Sequence, residues 1–472
     1  MTEPTRDAGI PWPVFAVTVT GAFMVALDLS IVNVAFPSLA ESFAEASPAT
    51  LSWVLSSYSI VFGALLLGAG RIADRSGRKR WFQRGLLVFT IGSLLCAVAF
   101  APWFLIGGRI VQATGAALLM PTSLALLLGA TPAAARAPAV AMWGGITALA
   151  VATGPSLGSI LVDAGGWRWA FFVNLPVAAV AAWGAHRFLD ESAVGGPPPD
   201  LIGIVMITAG VAGLALGITQ GSEGWGWSDP RTIAAFAIAA VLGPATYRRA
   251  RTNPSPAIDL HLFENRTVAL ANAATLFYGI AFFAMLLGNV LFLTGVWGYS
   301  TLKAGLAITP APLVVAALSR STGKLAQRIG YRPVLVAGGL AFAAGQLLLL
   351  TTVGTEPAYL RTWLGPSLLV AVGVALSFPV LSAAAVAGLP PDRFAAGGAL
   401  NQTARQIGAV LGVAALVAII GRPDSPADAL DHFQLAWLMT SAMAIVSALV
   451  SSRQRPTPAP SEIPAPAMAA VE

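Results

Sequence analysis

Cysteine occurs once, at Cys96, and histidine only three times, so a disulfide is excluded and a Cys/His metal cluster has no material. Charge is scarce too: Asp, Glu, Lys and Arg make up 10% of the 472 residues, against about 25% in soluble domains. Hydrophobic residues fill 56% of the chain and the mean hydropathy is +0.76. Such a composition excludes a soluble globular domain and points to a polytopic membrane protein. The apolar runs lack the two-residue alternation of barrel strands, so they are expected to be helices, whose backbone polar groups pair internally. P-loop, zinc and nucleophile-elbow signatures are all missing, and neither a catalytic residue nor a metal site is expected.

What is present is length. Fourteen runs of roughly spanning length, about 20 residues each, are read between Val14 and Val450, among them Thr232–Tyr247 and Ala304–Leu318. The first is too long for a signal-peptide core and is expected to remain as a helix. Of the 27 lysines and arginines, Arg109 and Arg405 fall inside spans. Arg168, Arg231, Lys303, Arg361 and Arg422 fall on one side, and the remaining twenty, from Arg6 through Arg136, Arg320 and Arg393 to Arg455, on the other. The positive-inside rule then predicts a multi-pass inner-membrane protein with both termini cytoplasmic. The pI near 9.9 therefore reflects orientation, not nucleic-acid binding.

Six charges and two glycines are packed into Gly70-Arg71-Ile72-Ala73-Asp74-Arg75-Ser76-Gly77-Arg78-Lys79-Arg80, a short turn between two apolar runs. The same spacing returns eight spans later, with Gly323, Ala326, Arg328 and Gly330 matching Gly70, Ala73, Arg75 and Gly77. The chain is an internal duplication with two helices inserted between its halves. The expected division is a cytoplasmic N-terminus (1–11), an N-domain of six helices (12–190), a two-helix insert with linker (191–265), a C-domain of six (266–452) and a disordered tail (453–472). Gly195, Gly196 and Pro197 lie in the linker that opens the insert.

The turn resembles the signature between helices 2 and 3 of the major facilitator superfamily, G-x-[LI]-A-D-R-x-G-R-[KR]-[KR]. By that resemblance Gly70, Asp74, Arg75, Gly77 and Arg78 belong to the cytoplasmic gate. Asp74, facing the helix that begins near Arg393–Gly398, would latch the two halves in the outward-facing state, and the bland alternative is a topology anchor. Asp28 is the only carboxylate deep inside a span, where a charge costs about 2.5–3.5 kcal/mol or more. Its segment Leu27-Asp28-Leu29-Ser30-Ile31-Val32-Asn33-Val34-Ala35-Phe36-Pro37 resembles the first-helix signature of the fourteen-span drug:proton antiporters. Arg109-Ile110-Val111-Gln112-Ala113-Thr114-Gly115 is similar to their fourth-helix R-x-x-Q-G-x-G, with Ala113 for a glycine. Counting 1.5 Å per residue puts Asp28 and Arg109 at similar depths, so the two are expected to pair and to couple protons; a structural ion pair is the alternative.

Gly154, Pro155 and Gly158 resemble the antiporter signature of helix 5, with Ala150 and Ser159 replacing two of its glycines. Gly166-Trp167-Arg168-Trp169-Ala170-Phe171-Phe172-Val173-Asn174-Leu175-Pro176 is similar to an element of the fourteen-span branch. Arg405, in Asn401-Gln402-Thr403-Ala404-Arg405, is read as a gate or packing residue. Asn33, Tyr58, Gln112, Phe277, Tyr278, Asn289, Phe292 and Asn401 are the candidate lining of a permissive pocket.

These resemblances imply an all-α fold of two six-helix bundles plus two inserted helices. The implied function is proton-coupled export of lipophilic drugs or antibiotics by a monomer in the bilayer, with the proton gradient in place of a cofactor. Two alternatives stand beside it. One is a dedicated exporter of a metabolite or self-made antibiotic. The other is a lipid-linked transferase, for which Asp424, Asp428 and Asp431 are the scattered candidates.

Overall fold

The computed structural model describes residues 10–132, 135–193, 198–223, 225–387, 389 and 394–454. The expectations placed on Arg6, on Gly195, Gly196 and Pro197, on Arg393 and on the tail from Arg455 fall outside them. The chain is helical from end to end of the described residues: α1 (Trp12–Ser42), α2 (Pro48–Ser76), α3 (Arg78–Ala97), α4 (Pro102–Ala130), α5 (Arg136–Gly165), α6 (Trp169–Phe172), α7 (Asn174–Phe188), α8 (Leu201–Glu223), α9 (Pro230–Thr252), α10 (Arg266–Leu291), α11 (Thr301–Ile308), α12 (Pro310–Ile329), α13 (Tyr331–Thr352), α14 (Leu364–Ala384), α15 (Phe394–Ile420) and α16 (Pro426–Ser452).

The starts of several helices follow from local chemistry. Ser47, Asp229 and Ser425 each precede a proline in the first turn and accept a hydrogen bond from the backbone N–H of Thr50, Arg231 and Asp428. A capping side chain satisfies an orphan donor while proline occupies a place whose N–H has no helical partner.

Among the described residues eleven helical stretches are long and apolar enough to cross a membrane, or twelve when the bent pair Met142–Val151 and Thr153–Gly165 is taken as one span. That is fewer than the fourteen expected. The shortfall is α3, which starts with Arg78, Lys79, Arg80 and Arg84, and α9, which ends with Arg248, Arg249 and Arg251. Their flanking cations lower the mean hydropathy of helices whose middles are apolar.

Two bundles result. In the first, α1 packs on α4, α5 and α7, α2 on α4, and α3 on α4 and α7; in the second, α10 packs on α15 and α16, and α14 on α12 and α13. The duplication is visible in the packing. Gly77 and Gly330 both take positive φ, at 115° and 87°, in the turns α2–α3 and α12–α13. The same offset relates Gly85 and Gly92 of α3 to Gly338 and Gly345 of α13, and all four lie against the backbone or Cβ of the next helix.

The bundles meet along α2–α15, α1–α10 and α5–α11. On the side opposite the arginine-rich turns the seam is tight. Ser156 and Thr309 hydroxyls are 2.6 Å apart, and Val34 packs with Val290, Leu293, Ala304 and Ile308.

Helix α8 lies across the seam, against both α2 and α15, and pairs with α9. Its lower end is clasped by Asp200, buried, which bonds Arg249 at 2.7 Å and accepts from the backbone N–H of Gly203. Arg71 of the signature turn donates to Ser255 Oγ at 3.0 Å, and Ser255 Oγ donates to Pro198 O. Burial alone would raise the Asp200 carboxyl, but the Arg249 side chain and the N–H groups of Gly203 and Ala257 outweigh it and hold it below its ordinary value. A depressed carboxyl stabilises the fold above its unfolded value, about 3.9, and that contribution fades as pH falls through the folded value. Asp200→Ala is therefore expected to lower the unfolding temperature at pH 7, with the gap to wild type narrowing toward pH 3; a gap unchanged with pH would show that the charge contributes nothing.

Candidate functional site

Five helices of the first bundle bring polar side chains to one fully buried point. Asp28 comes from α1, Tyr58 from α2, Ser93 from α3, Arg109 and Gln112 from α4, and Asn174 opens α7. Arg109 Nη1 donates to Asp28 Oδ2 at 2.6 Å, while Gln112 Nε2 at 2.8 Å and Asn174 Nδ2 at 3.0 Å both donate to Asp28 Oδ1. The guanidinium also donates from Nε to Val54 O at 3.0 Å and from Nη1 to Gln112 Oε1 at 2.6 Å. It stacks 4.0 Å from the centre of the Tyr58 ring. Ser93 Oγ accepts from both Gln112 and Asn174, at 2.8 and 3.2 Å.

The orientation of the Gln112 amide follows from chemistry. Arginine can only donate, so the atom facing it must be the oxygen, which turns the NH₂ toward Asp28. Asp28 thus accepts three hydrogen bonds and gives none, the arrangement of an ionised carboxylate. A buried ion pair of this kind is tolerable because its lone pairs and protons are met.

Close helix approach builds the point. A Cβ on Gly92 would fall 2.5 Å from Gln112 Cα, and one on Gly115 would fall 2.6 Å from Phe89 Cα. On the other flank Gly154 abuts Ser30, whose hydroxyl donates to Val151 O at 3.0 Å, and Gly158 faces Ile31 Cα at 3.2 Å. Pro155 lies inside α5, and its carbonyl is 2.7 Å from where a Cβ on Gly305 would sit. The antiporter-like segment therefore packs α5 against α1 on one side and α11 on the other.

The signature turn is a separate site. Asp74 pairs with Arg78 at 2.6 Å, four residues on, and Arg75 is exposed. Among the described residues no hydrogen bond or ion pair joins Asp74 to α15, and residues 391–393 before that helix lie outside the description. Gly77 combines positive φ with no room for a side chain, since a Cβ would lie 2.8 Å from the Glu191 carboxylate. Glu191 accepts from the N–H of Lys79 and of Arg80, an acid at the positive end of α3. Gly70 faces Pro121 of α4 at 3.7 Å.

The proposed pocket lining divides. Tyr58 and Gln112 belong to the buried network. Phe292 is core: it is fully buried, stacked on Trp363 at 5.4 Å and edge-on to Phe433. Tyr278 is likewise core, wedged between Phe342 and Phe378. Asn33 is buried and bonds back to Leu29 O, Phe277 is half-buried, and the Oδ1 of Asn289 is buried without a hydrogen-bond partner among the described residues. Asn401 donates to Thr275 Oγ1 at 2.8 Å beside Arg405. Ser93 and Asn174 join the network beyond the sequence candidates: Asn174 lies in the Gly166–Pro176 segment, while Ser93 is one hydroxyl in an apolar span and carries no signal of its own. Among the described residues no cluster of three or more His, Cys, Asp or Glu is placed to hold a metal.

The family model of the Major Facilitator Superfamily matches residues 18–413 and, in a second match, 271–467. The chain is 34% identical to the multidrug resistance protein Stp of Mycobacterium tuberculosis over 402 residues, covering 85% of this chain and 74% of that one. It is 33% identical to the cephamycin export protein CmcT of Amycolatopsis lactamdurans, covering 93% and 92%. Among solved structures, a D-xylose-proton symporter superposes with a TM-score of 0.68 at 16% identity, covering 94% of this chain and 98% of the other. The chain belongs to the major facilitator superfamily.

Proposed function

We propose that this protein is a proton-coupled exporter of lipophilic drugs or antibiotics that works by alternating access in the inner membrane, with both termini cytoplasmic. The observation that carries the reading is the Asp28 carboxylate, buried among three donors and paired with Arg109. Adding a proton to Asp28 turns one acceptor into a donor that faces donors. Gln112 or Asn174 must then turn its amide, or Arg109 must let go, and the contacts tying α1 to α4 and α7 change with them. Protonation is thereby linked to helix packing, the requirement for coupling a gradient to a conformational change.

With the arginine-rich face cytoplasmic, the seam closed by Ser156, Thr309 and Val34 is the external one. Substrate and protons would be the partners of a monomer, and the proton gradient its energy source, with no cofactor. Asp74, paired with Arg78 in this conformer, would exchange that partner for the start of α15 when the cytoplasmic side closes. A narrower reading is favoured by the names of relatives, which include a cephamycin export protein and a methylenomycin A resistance protein: export of one compound rather than many.

The test is transport in proteoliposomes with an imposed pH gradient, across a panel of lipophilic cations, neutral antibiotics and acids. Uphill movement that collapses with the gradient is expected, and Asp74→Asn should slow it severalfold at equal protein level. Transport indifferent to the gradient would remove the coupling, and wild-type turnover by Asp74→Asn would reduce the turn to a topology anchor.

A further inference from the structure

The second bundle holds a mid-span charge that no carboxylate pairs with among the described residues. Arg405 lies eleven residues into α15, about 16 Å from Phe394 at 1.5 Å per residue, which is mid-span. Its Nη2 donates to Ser382 Oγ at 2.7 Å and reaches Asn401 Oδ1 at 3.5 Å, and the guanidinium lies 4.7 Å from the centre of the Phe378 ring. Its Nε is buried with no hydrogen-bond partner among the described residues. From Arg266 to Ile420 the only carboxylates are Glu356, in the turn after α13, and Asp392, just before α15. Glu356 lies outside the spans and Asp392 outside the described residues, among which no carboxylate pairs with Arg405 as Asp28 does with Arg109.

The direction of the side chain matters as much as its charge. Around α15, Thr403 bonds Gly63 O and Gln406 meets Gly63, both on α2, while Gly408 lies against α10. Arg405 points away from α2, toward Phe378 and Ser382 of α14, and like Phe378 and Phe282 it is only partly buried. Beside it stand Phe282, 4.6 Å from Phe378 between ring centres, and Tyr278 at 5.2 Å. An uncompensated cation next to an aromatic wall suits an amphiphilic anion.

We infer that Arg405 binds the anionic group, a carboxylate or its like, of the exported molecule, whose lipophilic body rests on Phe378 and Phe282. A planar carboxylate would accept from Nε and a neighbouring Nη, with Ser382 and Asn401 holding the guanidinium plane. The mid-span depth keeps the site away from lipid headgroups. The inference rests on the export reading and narrows its substrate class to acids.

The experiment reads binding, not transport, so it stands apart from proton coupling. Purified protein in phosphatidylcholine nanodiscs, in chloride-free buffer, is titrated with 1-pyrenebutyrate and with its methyl ester. Wild type is expected to bind the acid about tenfold or more tightly than the ester; a tenfold difference corresponds to about 1.4 kcal/mol. Arg405→Gln should erase the difference, and Arg405→Lys should keep part of it. Melting curves of both Arg405 variants establish that they are folded. A wild type that binds the two probes alike or binds neither, or an Arg405→Gln protein that still prefers the acid, overturns the assignment. If instead export proves uncoupled from protons while the acid preference holds, the anion site survives and the coupling reading falls.

Discussion

Asp28→Asn is expected to reduce pH-gradient-driven export to the level of empty liposomes while leaving downhill exchange of substrate measurable. The substitution keeps the size and nearly the shape of the side chain, so the four neighbouring helices need not repack. What changes is the chemistry of one atom. The Asn amide nitrogen brings two donors into a site where Gln112 Nε2, Asn174 Nδ2 and Arg109 Nη1 already donate. One of them has to turn away, which mimics the proton-loaded carboxylate permanently. Arg109 is meanwhile left as a buried cation without its anion, a loss of about 3–5 kcal/mol in comparable sites. Arginine stays protonated at any physiological pH, so it cannot carry the proton in place of Asp28. Measured proton influx should fall with export; wild-type coupling in the Asp28→Asn protein would mean that the proton uses another route.

Much of this was legible in the chain. Asp28 stands out because a lone acid in an apolar run has no cheap explanation, and Arg109 because it opens a segment similar to a fourth-helix signature. Helix rise and membrane thickness put the two at one depth, and the fold brings them together across 81 residues. The neutral partners are legible only in part: Gln112 and Asn174 lie in segments with family-like patterns, whereas Ser93 is an ordinary residue with no charge pattern to flag it. Aromatic residues misled in the other direction. Phe292 and Tyr278 are core, not pocket wall, and a ring in an apolar span gives the same signal whether it faces a cavity, lipid or core. The α3 and α9 helices carry apolar middles, and their flanking arginines keep them below the hydropathy of the others. Glu191 could not be placed at α3 because it reaches there across 112 residues through the fold.

Gly92→Ala is expected to have a second large effect, for a reason that is purely spatial. Helices α3 and α4 touch backbone to backbone, and a methyl group at Gly92 would press on the N, Cα and Cβ of Gln112, the last at 2.7 Å. Neither side of that contact is a flexible chain end, so α3 must move away from α4. Overpacking of this kind costs about 1–3 kcal/mol, occasionally more. Here the displaced atoms also hold the Gln112–Ser93 bond at 2.8 Å and, through it, the donor set around Asp28. Two comparisons separate packing from coupling. Gly345→Ala, at the duplicated position in the second bundle, would meet Val370 Cγ2 at 2.5 Å and Pro366 O at 2.8 Å, and lies in the other bundle from Asp28. It should lower the melting temperature while the surviving protein keeps its dependence on the pH gradient. Gly107→Ala, on the open face of α4 with nothing within 4 Å, should change neither. Gly92→Ala should lower both stability and the export driven per unit gradient, measured on protein recovered folded by size-exclusion chromatography. If its coupling matches that of Gly345→Ala, the close approach of α3 and α4 serves stability alone, and the geometry around Asp28 tolerates a shift that the hydrogen-bond lengths say it should not.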